Sequence, residues 1–217
     1  MFRFVRAGLA AAFLAFVLST AIAADKPLKQ SALDEAAIKL EAQIKSDAGT
    51  VTKPSAALKR DADAAFQKND FRSGMLVLGQ LVAVAPDDAS SWLRLARTIL
   101  QIKPRDDREK ALLLDRASTA AYIAYVRAGD RALESDSLSV LGRALADRQQ
   151  WRGALDAMRA SLDLREAADL RGQYEKLRAE YGFRLLDFTV DAAVHSTTHT
   201  RVRGVYERDV VNEKEGE

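Results

Sequence analysis

The chain of 217 residues contains no cysteine, only four prolines and only 11 glycines. Without cysteine, a disulfide scaffold, a thiolate metal site, an iron–sulfur cluster and a cysteine nucleophile are all excluded. The scarcity of proline and glycine argues against disorder and against an all-β domain with its many tight turns. Hydrophobic residues make up 48% of the chain and charged residues 29%, with abundant Ala and Leu. This composition predicts an all-α protein.

The first 23 residues have the pattern of a secretory signal peptide. Arg3 and Arg6 precede an apolar run over residues 7–18, and Ala21-Ile22-Ala23 supplies the small-x-small cleavage sequence. We therefore expect an exported, periplasmic protein. The alternative is a retained membrane anchor, because residues 7–24 reach the short limit for a membrane span. Contact with a membrane is expected only through export or an uncleaved leader.

Charge argues against nucleic acid as a partner. The leader contains two of the 33 basic residues and none of the 31 acidic residues, so positive and negative charges balance once it is removed. Binding to phosphate backbones requires a basic surplus that releases counterions. We expect no nucleic acid partner.

An internal repeat organises the middle of the chain. Trp92 and Ala96 lie 34 residues after Leu58 and Ala62, which is the period of tetratricopeptide repeats. Six positions also recur at a displacement of 80 residues: Leu58, Ala62, Phe71, Gly74, Leu78 and Leu81 correspond to Leu138, Gly142, Trp151, Ala154, Met158 and Ser161. The chain thus resembles a tetratricopeptide-like solenoid of antiparallel helix pairs, with units over residues 55–88, 89–130 and 131–167.

Details within the units fit helix pairs. Small residues such as Gly74 and Gly142 allow close approach of two helices, and residues 69–70 and 149–150 occupy the expected turns. The middle unit departs from the pattern because its turn, residues 103–107, comes late. We expect an enlarged second helix there.

Flanking segments complete the predicted domains. Residues 24–54 are expected to hold an amphipathic helix over 31–47, begun by a capping box of Ser31 and Asp34, and a linker. A final helix with the stripe Leu170, Tyr174, Leu177 and Tyr181 ends at Gly182, closing a helical domain over residues 55–182. Alternating residues then predict a short C-terminal β segment over 183–206, followed by a charged tail over 207–217.

A more particular resemblance rests on three segments. Residues 141–145 (LGRAL), 150–155 (QWRGAL) and 180–191 (EYGFRLLDFTVD) follow a signal peptide in an order similar to the N-terminal region of bacterial alpha-2-macroglobulin-like proteins. The resemblance implies that residues 183 onward open a macroglobulin-like β-sandwich of a protease inhibitor. The bait region and thioester of that family lie beyond the end of this chain, so a fragment, a truncated gene or a frameshifted tail is suspected.

Three cations are the candidate binding residues. Lys59, Arg97 and Arg143 are expected near the inward face of successive first helices, as a basic groove for an acidic peptide or a C-terminal carboxylate. The alternative is a set of surface charges paired with Asp63 and Asp147.

No catalytic, cofactor or metal residue is assigned. His195 and His199 have a metal-ligand spacing, but their Ser/Thr-rich surroundings favour a solvated loop. Acidic pairs such as Asp87/Asp88 and Asp106/Asp107 are expected to stabilise helix starts rather than to act as acids or bases.

The sequence therefore predicts a non-enzymatic, exported interaction region. Its partner is expected to be another protein or downstream macroglobulin-like domains, and no cofactor is expected. The alternative function is a free-standing periplasmic tetratricopeptide adaptor for the assembly of envelope proteins.

Overall fold

A computed structural model describes residues 31–182, and this part of the chain is helical with no strand. The predicted all-α class is confirmed for these residues. Eight α-helices are followed by a π-helical turn, Arg178–Gly182. The helices are α1 (Ser31–Ala48), α2 (Ser55–Gln67), α3 (Phe71–Val84), α4 (Ala89–Gln101), α5 (Asp107–Arg127), α6 (Arg131–Asp147), α7 (Trp151–Leu164) and α8 (Ala168–Leu177).

Several predictions fall outside the described residues. These are the signal peptide over 1–23, the β segment over 183–206 with His195 and His199, and the charged tail over 207–217. Within residues 31–182, no helix has an apolar stretch long enough to cross a bilayer.

Helices α2 to α7 form three successive hairpins, and each hairpin also contacts the next. The stripe predicted for the first helix of the middle hairpin is buried in the core: Trp92, Leu95, Ala96 and Ile99 are each at most 3% exposed. Apolar residues at this helical spacing face one side of the helix, so their burial supplies the main stabilisation of the stack.

The first and third hairpins have the same turn geometry. Asn69 and Gln149, 80 residues apart, adopt left-handed backbone angles with φ of 55° and 60°. The amide of the next residue, Asp70 or Gln150, donates to the carbonyl of Ala65 (3.0 Å) or Leu145 (2.9 Å). This six-to-one hydrogen bond belongs to the Schellman motif that ends helices. The turns predicted at these positions are confirmed.

Small residues mark the two helix crossings. A methyl group at Gly74 would lie 2.4 Å from Cε1 of Phe66 on the facing helix, and one at Gly142 would lie 2.6 Å from Cγ of Met158. No side chain larger than hydrogen fits either position without movement. The predicted role of these glycines in close helix approach is therefore confirmed.

The middle hairpin has the enlarged second helix that the sequence predicts. Helix α5 has 21 residues, whereas α3 and α7 have 14 each. Asp106 caps α5 by accepting a hydrogen bond from the amide of Glu109 (2.7 Å). The first turn of α5 contacts α3, because Arg72 of α3 donates to both carboxylate oxygens of Glu109 (2.7 and 3.0 Å).

Both flanking helices are docked on the stack. Helix α1 packs against α3 and α5, with Leu33 buried and the Tyr122 hydroxyl donating to Asp34 Oδ1 at 2.6 Å. Helix α8 buries Leu170 and Tyr174 beside α7. The helix predicted to continue to Gly182 instead becomes a π-helical turn after Leu177.

Candidate functional site

Two of the three predicted cations line one groove. Arg97 on α4 and Arg143 on α6 share a groove of about 580 Å³ that is also bordered by the first hairpin and by α8. Both residues are exposed. Its apolar lining includes Phe71, Val140 and Leu170. We call this surface the arginine groove, defined by Phe66, Phe71, Arg94, Arg97, Val140, Arg143, Arg165 and Leu170.

The third predicted cation has another contact. Lys59 does not line the arginine groove, and its Nζ lies 3.0 Å from Asp88 Oδ2. Asp88 also caps α4 by accepting a hydrogen bond from the Ser91 amide (3.3 Å), and it accepts further hydrogen bonds from the hydroxyls of Ser90 (2.5 Å) and Ser91 (2.7 Å). Burial disfavours the charged form of Asp88, but these hydroxyls and the Lys59 ammonium outweigh it and hold the pKa of this carboxyl well below its usual value. Lys59 thus contributes to the start of α4.

Two arginines of the groove were not among the predicted residues. Arg94 pairs with Asp63, and its guanidinium carbon lies 4.7 Å from the centroid of the Phe66 ring. Arg165 follows α7 and pairs with Asp136. Arg94 lies three residues before Arg97, so helical spacing alone could have placed both near one face. No spacing in the sequence connects Arg165 to the groove.

Asp136 forms ion pairs with two arginines, Arg97 and Arg165. Its Oδ2 lies 2.8 Å from Nη2 of Arg97, and its Oδ1 pairs with Arg165. One carboxylate therefore serves two guanidinium groups. Each arginine is about half exposed, at 53% and 52% of its side-chain area. Their charge is only partly compensated and stays accessible from the groove.

Arg143 differs from the other groove arginines because it forms no ion pair with any carboxylate in residues 31–182. The predicted alternative, pairing of these cations with Asp63 and Asp147, is not what the described residues show: Asp63 pairs with Arg94. Arg143 also lines a second, adjoining groove with Trp151, Lys176 and Tyr181. The rings of Trp151 and Tyr181 stack there at 3.8 Å between centroids. Arg143 therefore lies where the two grooves meet.

The predicted structural roles of the acidic pairs are also observed. Asp88 and Asp106 cap α4 and α5, whereas Asp61 and Asp63 pair with Lys53 and Arg94. Among residues 31–182, no three His, Cys, Asp or Glu side chains are grouped as metal ligands. Four arginines and one carboxylate, Asp169, line the arginine groove together with apolar side chains. The guanidinium donors outnumber the carboxylate, which suits recognition of a ligand's carboxylates.

Comparisons with protein-family models, with curated proteins and with solved structures find no match for this chain.

Proposed function

We propose that this protein is a non-catalytic, exported interaction region that binds an acidic segment of a protein partner in the arginine groove. The observation that carries the proposal is that Arg97 and Arg143, from two different hairpins, line one groove with apolar side chains between them. Guanidinium groups bind carboxylates through paired, charge-assisted hydrogen bonds. An acidic peptide with apolar neighbours matches both the charge and the lining.

The existing ion pairs do not oppose such binding strongly. Exposed ion pairs contribute about 0–1 kcal/mol each, so Arg97 and Arg165 can exchange Asp136 for a partner carboxylate at little loss. Arg143 needs no exchange, because it has no carboxylate partner in the described part. We therefore assign Arg143 the leading role in partner binding and Arg97 a supporting one.

The helix pairs are proposed to be tetratricopeptide-like repeats. The 34-residue spacing of the first helices and the matching turns at Asn69 and Gln149 support this assignment. By resemblance, we further propose that the region is the N-terminal part of an alpha-2-macroglobulin-like periplasmic protease inhibitor. Trapping a protease would then require domains that follow this sequence.

A free-standing periplasmic adaptor is the second candidate function. One observation favours it: every residue that lines the arginine groove lies between Phe66 and Leu170, so the groove needs no downstream domain. The coding sequence after residue 217 separates the two candidates. Macroglobulin-like β-domains in the same reading frame support the inhibitor, and unrelated envelope genes support the adaptor.

Binding is tested with fluorescently labelled acidic peptides and matched peptides in which Gln and Asn replace Glu and Asp. We expect the acidic set to contain binders and the neutral set none. Arg143→Glu should weaken the best acidic peptide about tenfold, since hydrogen bonds between charged groups contribute about 1.5–3 kcal/mol. Arg60→Glu is the matched control, because Arg60 is an exposed arginine of α2 outside the groove.

Thermal unfolding separates binding from folding. Arg143→Glu should change stability by less than about 0.5 kcal/mol, because it breaks no ion pair in the described part. Arg97→Glu should lower stability more, because it places a second carboxylate beside Asp136. Equal affinity of acidic and neutral peptides, or equal effects of Arg60→Glu and Arg143→Glu, would contradict the proposed groove.

A further inference from the structure

A third concave site shares no lining residue with the two grooves described above. It occupies about 210 Å³ between α1 and α3, with α4 beneath it and α5 at its edge. The apolar lining comes from three helices: Leu40 and Ile44 of α1, Met75 of α3, and Leu95 and Ile99 of α4. Since the arginine groove shares none of these residues, the two sites are separate.

Gly79 of α3 keeps part of this cavity open. A glycine in the middle of a helix costs about 1 kcal/mol relative to alanine. A methyl group at Gly74 of the same helix would meet the Phe66 ring, which would have to move, but a methyl group at Gly79 would have no atom within 4 Å. Packing therefore does not require glycine here. A larger side chain at position 79 would fill part of the cavity.

The cavity is also lined by a cation that forms no ion pair with any carboxylate in residues 31–182. Arg116 lines it from α5, and the adjacent carboxylate, Asp115, pairs with Arg148 at 2.8 Å. Asp47 lines the same cavity but accepts a hydrogen bond from the Gln43 amide at 2.7 Å and lies outside ion-pair distance of Arg116. Within the described residues, Arg116 thus has guanidinium donors free for an anion, next to an apolar cavity.

We propose that this cavity binds an aliphatic carboxylate of medium chain length, with its carboxylate on Arg116 and its chain between α1 and α3. The cavity of about 210 Å³ has room for a short aliphatic chain. Eight carbons, with the carboxylate at the mouth, is the chain length chosen for the test. The anionic head distinguishes the ligand from a neutral hydrocarbon or alcohol.

The arrangement of α1 allows access to the cavity. Polar contacts attach α1 to α5 in its first eleven residues: the Tyr122 hydroxyl donates to Asp34, and Arg127 lies 2.9 Å from Glu41. Of the residues of α1 that line the cavity, Leu40 lies within this attached segment, whereas Gln43, Ile44, Asp47 and Ala48 follow it. A small displacement of residues 43–48 admits a chain without breaking these two polar contacts.

The test uses octanoate as the probe and octanol as its neutral match. The protein contains three methionines, so 13C-methyl labelling gives a simple spectrum. Octanoate should shift the Met75 methyl resonance and leave that of Met158, at the crossing of α6 and α7, unchanged. Octanol should bind at least about tenfold more weakly. Absence of a Met75 shift at millimolar octanoate would overturn the proposal.

Two variants test the two parts of the site. Gly79→Leu fills the cavity and should abolish the Met75 shift, while Gly79→Ala serves as the folded control with only one added methyl group. Arg116→Gln should weaken octanoate about tenfold and leave octanol unchanged, because only the anion uses the guanidinium. If octanoate and octanol bind equally, or if Gly79→Leu still binds octanoate, the proposal is wrong.

Discussion

The first and third hairpins share a backbone design but achieve their close helix crossing in opposite ways. In the first hairpin the crossing glycine is Gly74 on the second helix, and its equivalent in the third hairpin is Ala154. In the third hairpin the glycine is Gly142 on the first helix, and its equivalent is Ala62. Each crossing therefore contains one glycine and one fully buried alanine.

The difference shows what the repeat preserves. Both crossings combine one glycine with one alanine, so their summed side-chain volume is the same. The glycine lies on the second helix of the first hairpin but on the first helix of the third hairpin. The neighbours differ as well. The three atoms nearest to a methyl group at Gly74 all belong to the ring of Phe66, whereas those nearest to one at Gly142 are Met158 Cγ and two backbone atoms, Ala154 O and Met158 N, both at 3.2 Å. Backbone yields less than the end of a side chain, so the third crossing is the more rigid one.

Alanine substitution of the two crossing glycines, Gly142 and Gly74, is expected to give the largest effect and to distinguish the two crossings. Gly142→Ala should destabilise the protein by up to about 2 kcal/mol, because overpacking costs about 1–3 kcal/mol and helix propensity returns only about 1 kcal/mol of that cost. Gly74→Ala should be nearly neutral, because the half-buried Phe66 ring can move aside. Urea unfolding gives both values.

Gly79→Ala is the matched control for this series, since no atom lies within 4 Å of the added methyl group. It should stabilise the protein by about 1 kcal/mol through helix propensity alone. If all three alanine variants are equally stable, the crossings are not close contacts and the comparison fails.

A smaller effect is expected at the two equivalent turns. Gln149→Gly should stabilise the protein by about 1 kcal/mol, because a non-glycine residue with left-handed backbone angles is strained. Asn69→Gly should gain only a few tenths of a kcal/mol, since asparagine tolerates this conformation. Thermal unfolding of both variants gives the comparison, and a larger gain at Asn69 would contradict it.

The smallest effect concerns the ion pair that joins α3 of the first hairpin to α5 of the middle hairpin. Hydrogen bonds from the Arg72 guanidinium, and then from the Arg105 amide, lower the pKa of Glu109 from 4.5 to about 2. A lowered pKa in the folded state adds stability that is fully present above pH 4.5 and is lost as the pH falls towards 2.

Glu109→Gln should therefore flatten the fall in Tm between pH 4.5 and 2 and lower Tm slightly at pH 7. Asp107→Asn, a change at an exposed carboxylate in the first turn of the same helix, is the control on net charge. If Glu109→Gln and wild type lose stability in parallel over this range, the ion pair has no part in the acid response.

The helix positions were predictable because they depend on local signals. Asp88 and Asp106 begin helices by accepting backbone amides three residues later, and stripes such as Trp92 to Ile99 form one apolar face. The site was only partly predictable. Helical position identified Arg97 and Arg143, but Lys59 was assigned to the groove without regard to Asp88, which attracts it at the start of the next hairpin.

The sequence by itself determined the helices, their turns and the small residues at their crossings, because hydrogen-bond caps, helical periodicity and backbone strain act over a few residues. Only the tertiary structure decided which charges meet. Arg165, Asp136 and Arg97 come from three separate segments. The open space beside Gly79 likewise depends on the positions of the neighbouring helices, which leave no atom within 4 Å of a methyl group built there. Such contacts depend on how far one helix is displaced along another, and this displacement cannot be predicted from a short pattern of residues.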